Sequence, residues 1–164
     1  MRNKVTHLVL LCGLPRSGKS TWVKNNKKDA IVVSLDEIRK EIFGHQFHGP
    51  SEYFVMGIAK SMVRLLLAQH KSVIVDATNV RRQWRAEWEN LAEERSAKCA
   101  IICFKTPLEV CLKRNEVCPE NEQVPVDVLV SMNERFELEN PISYPDMDST
   151  GREIPTTEID HYRD

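Results

Sequence analysis

The stretch Gly13-Leu14-Pro15-Arg16-Ser17-Gly18-Lys19-Ser20-Thr21 has two glycines separated by four residues, followed by Lys and Ser. This is the spacing of a phosphate-binding loop. Glycine lets backbone N–H groups turn toward phosphate oxygens without a Cβ in the way. A helix starting at the end of the loop adds a favourable dipole for an anion. Lys19 has the length to reach β- and γ-phosphates, and the Ser20 hydroxyl suits Mg²⁺. Gly13, Pro15, Ser17, Gly18, Lys19, Ser20 and Thr21 are therefore the expected nucleotide-binding set, with Ser20 the expected metal contact.

Three further groups carry charge in suggestive places. Asp36 is followed three residues later by Arg39, a spacing that puts both on one helical face. A carboxylate there can accept the proton of an attacking hydroxyl. Arg39 can orient it or grip an acceptor phosphate. The plainer reading of Asp36 is a helix cap. The segment Asp76-Ala77-Thr78-Asn79 offers a carboxylate with three readings: a metal-side ligand, an acceptor contact, or a tie for its own turn. Lys113 and Arg114 precede a polar stretch that resembles a lid. A cation there would offset charge on a transferring phosphoryl group, whereas the plain reading is a basic helix end.

These residues need elements to hold them. Val5–Cys12 is a nearly unbroken apolar run and reads as a buried strand before the loop, with a helix to about Lys28 after it. Ala30–Leu35, Ser72–Val75 and Ala100–Phe104 read as further strands. Helices are expected over Asp36–Phe43, from a Ser51 cap to Gln69, from an Asn79 cap to Arg95, from Pro107 to Arg114, and from Pro125 to about Leu138. Phe54, Ile58, Met62 and Leu65 form the expected core stripe of the longest helix, and Trp84, Trp88 and Leu91 that of the next. Strands alternating with helices imply a doubly wound parallel sheet with helices on both faces. The first three strands then deliver the phosphate loop, Asp36 and Asp76 to one rim, where ligands bind in such sheets.

The chain has 164 residues, which suits one domain over 1–139 with a tail over 140–164, where Pro, Ser, Asp and Gly accumulate. Lys and Arg number 23 against 24 acidic residues, a net charge of −1. No global field draws in nucleic acid, so any such contact is local. Five cysteines without a CxxC pair read as small buried groups in a reducing, cytoplasmic setting. No apolar run approaches membrane-spanning length.

Weaker signals have plain readings. Asn26-Lys27-Lys28-Asp29 matches a guanine-reading tetrad in letters, but it follows the first helix instead of a late strand. His45 and His48 have no evident third metal ligand. Arg81, Arg82 and Arg85 make a basic patch whose default is a solvated face.

Taken together, four segments resemble 5′-polynucleotide kinase domains: the phosphate loop with its Pro15 and trailing Trp22, Ser34-Leu35-Asp36-Glu37-Ile38-Arg39, Asp76-Ala77-Thr78-Asn79, and Leu112-Lys113-Arg114-Asn115 with Val124–Leu129 and Met132 behind it. The resemblance runs in order from about residue 5 to 138. It implies a P-loop NTPase-type fold with a helical lid, and a kinase moving the ATP γ-phosphate, with Mg²⁺, onto a 5′-hydroxyl of DNA or RNA at a single-strand end or nick. It further implies Lys19 and Ser20 on the donor and Asp36 as general base. Arg39, Asp76, Thr78 and Asn79 would lie on the acceptor side, with Arg114 in the lid. It also implies a stand-alone kinase, since this length leaves no room for a phosphatase or ligase module. One departure stands out: a second lid Arg is missing from Glu116–Asn121. A sugar, nucleoside, antibiotic or aminoacylated tRNA as acceptor is the alternative, and a nucleotide-binding module without transfer is the third reading.

Overall fold

The computed structural model of the protein describes residues 5–44 and 49–136, with the backbone of 142–143. His45 and His48 lie outside the described residues. Five strands form one sheet: β1 His7–Cys12, β2 Ile31–Ser34, β3 Val73–Asp76, β4 Lys98–Cys103 and β5 Ile142–Ser143. Their order across the sheet is β2-β3-β1-β4-β5, and all four pairings are parallel. From β1 the chain crosses to β2 on one side, returns to β3 between them, and then crosses β1 to β4 and β5 on the other side. The order thus reverses beside β1, and the crevice at such a switch point is where an open α/β sheet takes its ligand.

The strands are apolar on successive residues because both faces are covered. Leu8, Leu10, Val73 and Val75 point into one core, while Leu11 and Ile74 point into the other, as the two-residue period of a strand requires. Helix α1 (Lys19–Asn26) covers the second core with Trp22 and Val23. Helices α2 (Leu35–Phe43), α3 (Gly49–Ala68) and α4 (Arg82–Glu94) cover the first. Helix α5 (Leu108–Glu116), a 3₁₀ turn at Glu120–Glu122 and helix α6 (Val126–Glu134) follow β4. This is the expected P-loop NTPase-type doubly wound α/β fold.

Two helices differ from expectation in ways that matter. On α3 the buried stripe is Val55, Ala59, Val63 and Leu67, whereas Phe54, Ile58, Met62 and Leu65 are exposed. Both stripes have helical spacing, so periodicity alone does not choose between them. The narrower side chains lie on the packed face and allow close approach to the sheet. On α4 the cap is Arg81, not Asn79, and Trp84 is only half-buried, with the Arg81 guanidinium 5.2 Å from its ring centre. Trp88 and Leu91 are buried as expected. Among the described residues, no helix is long and apolar enough to cross a membrane.

Candidate active site

The loop after β1 carries two backbone features that its sequence requires. Gly18 caps α1 at φ 103°, and Gly13 has φ 156°. A Cβ on Gly13 would lie 2.9 Å from the Phe104 Cβ and 2.9 Å from the Ser17 hydroxyl. The loop is tied to its surroundings at both ends. Gly13 N–H donates to the Thr78 carbonyl at 2.8 Å, and the Thr106 hydroxyl donates to the Ser17 carbonyl at 2.9 Å. Pro15 is half-buried and Ser17 buried, while Ser20 and Thr21 are exposed at the start of α1.

Lys19 is buried, with its ammonium donating to the carbonyls of Gly13 at 3.0 Å and Leu14 at 2.7 Å. Burial pulls the ammonium below the usual lysine range, and the charges of Asp76 and Asp36 oppose that shift. Asp76 ends β3, directly across from Ser34 at the end of β2. Its carboxyl is pushed up by burial, against the pull of Lys19 and a hydrogen bond from Ser20. Asp36 is among the charges acting on Asp76 as well. The structure therefore gathers Lys19, Ser20, Asp36 and Asp76 at one rim. The Ser20 hydroxyl and the Asp76 carboxylate are the hard oxygen donors that a Mg²⁺ ion prefers, and Ser20 is close enough to act on the Asp76 carboxyl.

Asp36 sits in the first turn of α2 with 90% of its side chain exposed. It is not the cap, because Ser34 Oγ accepts from the Glu37 N–H at 3.3 Å. The Asp36 carboxylate is held from the side by Arg39, whose Nη1 donates to Oδ1 at 2.5 Å. Arg39 in turn donates from Nε and Nη2 to the two oxygens of Glu52 on α3, at 2.6 and 2.7 Å. This bidentate pair raises the Arg39 pKa, with the Asp36 bond adding to it.

The lid closes on the loop. Arg114 on α5 donates from Nη1 to the Arg16 carbonyl at 3.0 Å, and Arg16 donates from Nη2 to the Glu122 carbonyl at 2.5 Å. Arg16 has φ 66°, and its Nε is buried without a partner. Asn115 fastens the lid loop to itself: its amide donates to the Val124 carbonyl at 2.8 Å and accepts from the Val124 N–H at 2.9 Å. Lys113 is exposed.

Behind the rim, Asn79 is buried with φ 43°, and its amide donates to the Leu11 carbonyl at 2.9 Å. Thr78 is half-buried and contributes its backbone carbonyl to Gly13. Arg85 departs from the solvated-face expectation. It is buried and donates to the carbonyls of Asn79 at 2.8 Å and Val80 at 3.1 Å, bracing the turn after β3. Asn26 of the guanine-like tetrad bonds the Trp22 carbonyl at the far end of α1 from the loop. Sequence reasoning did not find Glu52, Thr106 or the bridging role of Arg16. Thr106 was within reach, since it stands just past the carboxyl end of β4. Glu52 had no signal, because it meets Arg39 across an intervening loop.

Comparison with known proteins agrees with this architecture. The model of a family described as an AAA domain matches residues 8–139. The L-seryl-tRNA(Sec) kinase of Methanococcus maripaludis is 31% identical over 137 residues, covering 79% of this chain and 52% of that protein. The chain thus spans about half the length of this curated relative. Among solved structures, a chain of the Pnkp1/Rnl/Hen1 RNA repair complex aligns with a TM-score of 0.68 and 23% identity, over 89% of this chain and 53% of that one. The Mycobacterium tuberculosis APS kinase CysC aligns with a TM-score of 0.68 and 18% identity, over 96% of each chain. Chaetomium thermophilum Kti12 gives 0.66 and 17%, over 93% of this chain and 97% of that one. At these identities the structural likeness speaks for the fold.

Proposed function

The chain belongs to the AAA-domain family, and on that premise we propose that it is an ATP-dependent kinase that phosphorylates a hydroxyl group. One observation carries the reading: the phosphate loop, Asp36 and Asp76 follow the carboxyl ends of three adjacent parallel strands, β1, β2 and β3, with Ser34 paired to Asp76. A triphosphate grip, a hard-cation donor pair and an exposed carboxylate base then share one rim.

In this reading the loop N–H groups and Lys19 hold the β- and γ-phosphates. Ser20 and Asp76 would hold Mg²⁺, which neutralises phosphate charge when bound. Asp36 accepts the proton of the acceptor hydroxyl as its oxygen bonds to the γ-phosphorus and the bond to the β-phosphate oxygen breaks, releasing ADP. Arg114, which donates to the Arg16 carbonyl of the loop, is the candidate lid cation that would offset charge on the moving phosphoryl group.

The first acceptor is a 5′-hydroxyl end of DNA or RNA, supported by the order and spacing of the four motif segments and by the likeness to a chain of an RNA repair complex. A second reading, an aminoacylated tRNA or a small hydroxyl compound, is favoured by a specific observation. Arg39, the residue that would take an acceptor phosphate, is already engaged by Glu52. The curated relative named for a seryl-tRNA substrate points the same way.

The test is to incubate the chain with γ-labelled ATP, Mg²⁺ and, in parallel, a 5′-hydroxyl oligonucleotide, seryl-tRNA and a metabolite panel. Label on one acceptor is expected. Asp36→Asn should lower transfer by roughly 10²–10⁴-fold while ATP still binds. Transfer retained in that variant would remove Asp36 from the base role.

A further inference from the structure

We propose that Glu52 is a specificity-determining residue, standing on Arg39 where an acceptor phosphate would otherwise bind; the proposal rests on the hydroxyl-kinase reading of the rim. A guanidinium presents parallel N–H bonds that match a carboxylate and a phosphate equally well. In this protein that edge of Arg39, Nε with Nη2, is filled by the two oxygens of Glu52. The remaining Nη1 holds Asp36. The Arg39 side chain is only 16% exposed, so a phosphate has little room to share the fork without moving Glu52.

Charge leads to the same conclusion. Among the described contacts, two carboxylates face the Arg39 guanidinium, so its positive charge is already matched before any phosphate arrives. A phosphate there must overcome the repulsion of those carboxylates and also strand a Glu52 carboxylate that is only 27% exposed. An acceptor whose hydroxyl has no phosphate close by meets neither obstacle. The favoured class is therefore an uncharged hydroxyl neighbourhood, which decides for the second acceptor reading over a DNA or RNA end, whose 5′-terminal nucleoside carries a 3′-phosphate. Arg39 in this arrangement is a positioning residue that orients Asp36.

A nucleoside and its 3′-monophosphate differ only in that phosphate and serve as probes. Binding is measured by calorimetry with the phosphate loop saturated by a non-hydrolysable ATP analogue, and transfer is measured with ATP. Glu52→Gln keeps the side-chain shape and removes the charge. It should tighten binding of the 3′-monophosphate by about 10-fold or more and leave the nucleoside unchanged. Glu52→Asp keeps the charge and should give no gain, and adding Arg39→Ala to Glu52→Gln should erase it. A 3′-monophosphate affinity that is unchanged in Glu52→Gln overturns the proposal, as does an equal gain for the nucleoside. A binding gain without phosphorylation of any acceptor would uphold Glu52 as the selector and defeat the kinase reading. Phosphorylation without a binding gain would do the reverse.

Discussion

Arg114 and Arg16 tie the lid to the phosphate loop from opposite directions. The Arg114 guanidinium reaches the Arg16 carbonyl at 3.0 Å, and the Arg16 guanidinium reaches the Glu122 carbonyl beyond α5 at 2.5 Å. One arginine leans from lid to loop and the other from loop to lid.

Arg114→Ala should therefore lower kcat by roughly 10²–10³-fold, the scale for losing one preorganised charge donor. Arg16→Ala should cost less in kcat, because its bond is to the lid backbone. It should also speed nucleotide release by loosening the closure. Single-turnover transfer and stopped-flow release with a fluorescent nucleotide check both effects.

The buried Lys19 predicts a stability effect opposite to its binding effect. Its pKa is lowered on folding, so the unfolded chain binds more protons between the folded value and 10.5. The nucleotide-free protein should gain stability as pH rises through that window. Lys19→Met should remove that pH dependence of the nucleotide-free melting temperature, where roughly 1 kcal/mol corresponds to about 2–4 °C for a chain of this size. The same variant should lose the stabilisation that ATP gives. Calorimetric scans across that pH window, with and without nucleotide, read both effects.

Asp76 adds a second window of the opposite sense. Its folded pKa lies above 3.8, so stability falls as pH rises from 3.8 through the folded value, and the cost of the buried carboxylate persists above it. Asp76→Asn should therefore stabilise the nucleotide-free protein at neutral pH while weakening Mg²⁺-dependent transfer. A melting temperature that drops in this variant at pH 7 would contradict the assignment.

Arg85 and Asn79 should behave as structural residues. Asn79 satisfies the Leu11 carbonyl of β1, and Arg85 satisfies the Asn79 and Val80 carbonyls in the turn after β3. Arg85→Ala should cost about 2–4 kcal/mol, the range for stranding buried hydrogen-bond partners, measured as a lower urea midpoint with an unchanged m-value. Asn115→Ala should act more locally, with faster hydrogen exchange at the Val124 amide once its acceptor is removed.

The sheet and the phosphate loop were legible because they depend on local pattern. Continuous apolar runs mark strands covered on both faces, and the Gly13–Ser20 spacing marks the loop. Asp36 was legible for its place at the end of β2, and Asp76 for its place at the end of β3. What stayed hidden depends on partners distant in the chain. Glu52 meets Arg39 only once α3 folds back across α2, and Arg16 meets Glu122 across 106 positions. The packed face of α3 stayed hidden for a related reason. Glu52 and Val55 lie on one side of that helix, three residues apart, and the apolar Phe54–Leu65 stripe masked it. Arg85 was misread because a charged side chain gives no sequence sign of a buried carbonyl pair waiting for it.

The pairing of Ser34 with Asp76 has one more consequence. Asp76 stands on that rung and Asp36 two residues beyond Ser34, so the spacing of their backbones is set by the ladder and the turn into α2. Side chains around them can be exchanged to suit a new acceptor without retuning that spacing. Inserting a single residue within either strand would dismantle it while leaving the loop able to hold nucleotide.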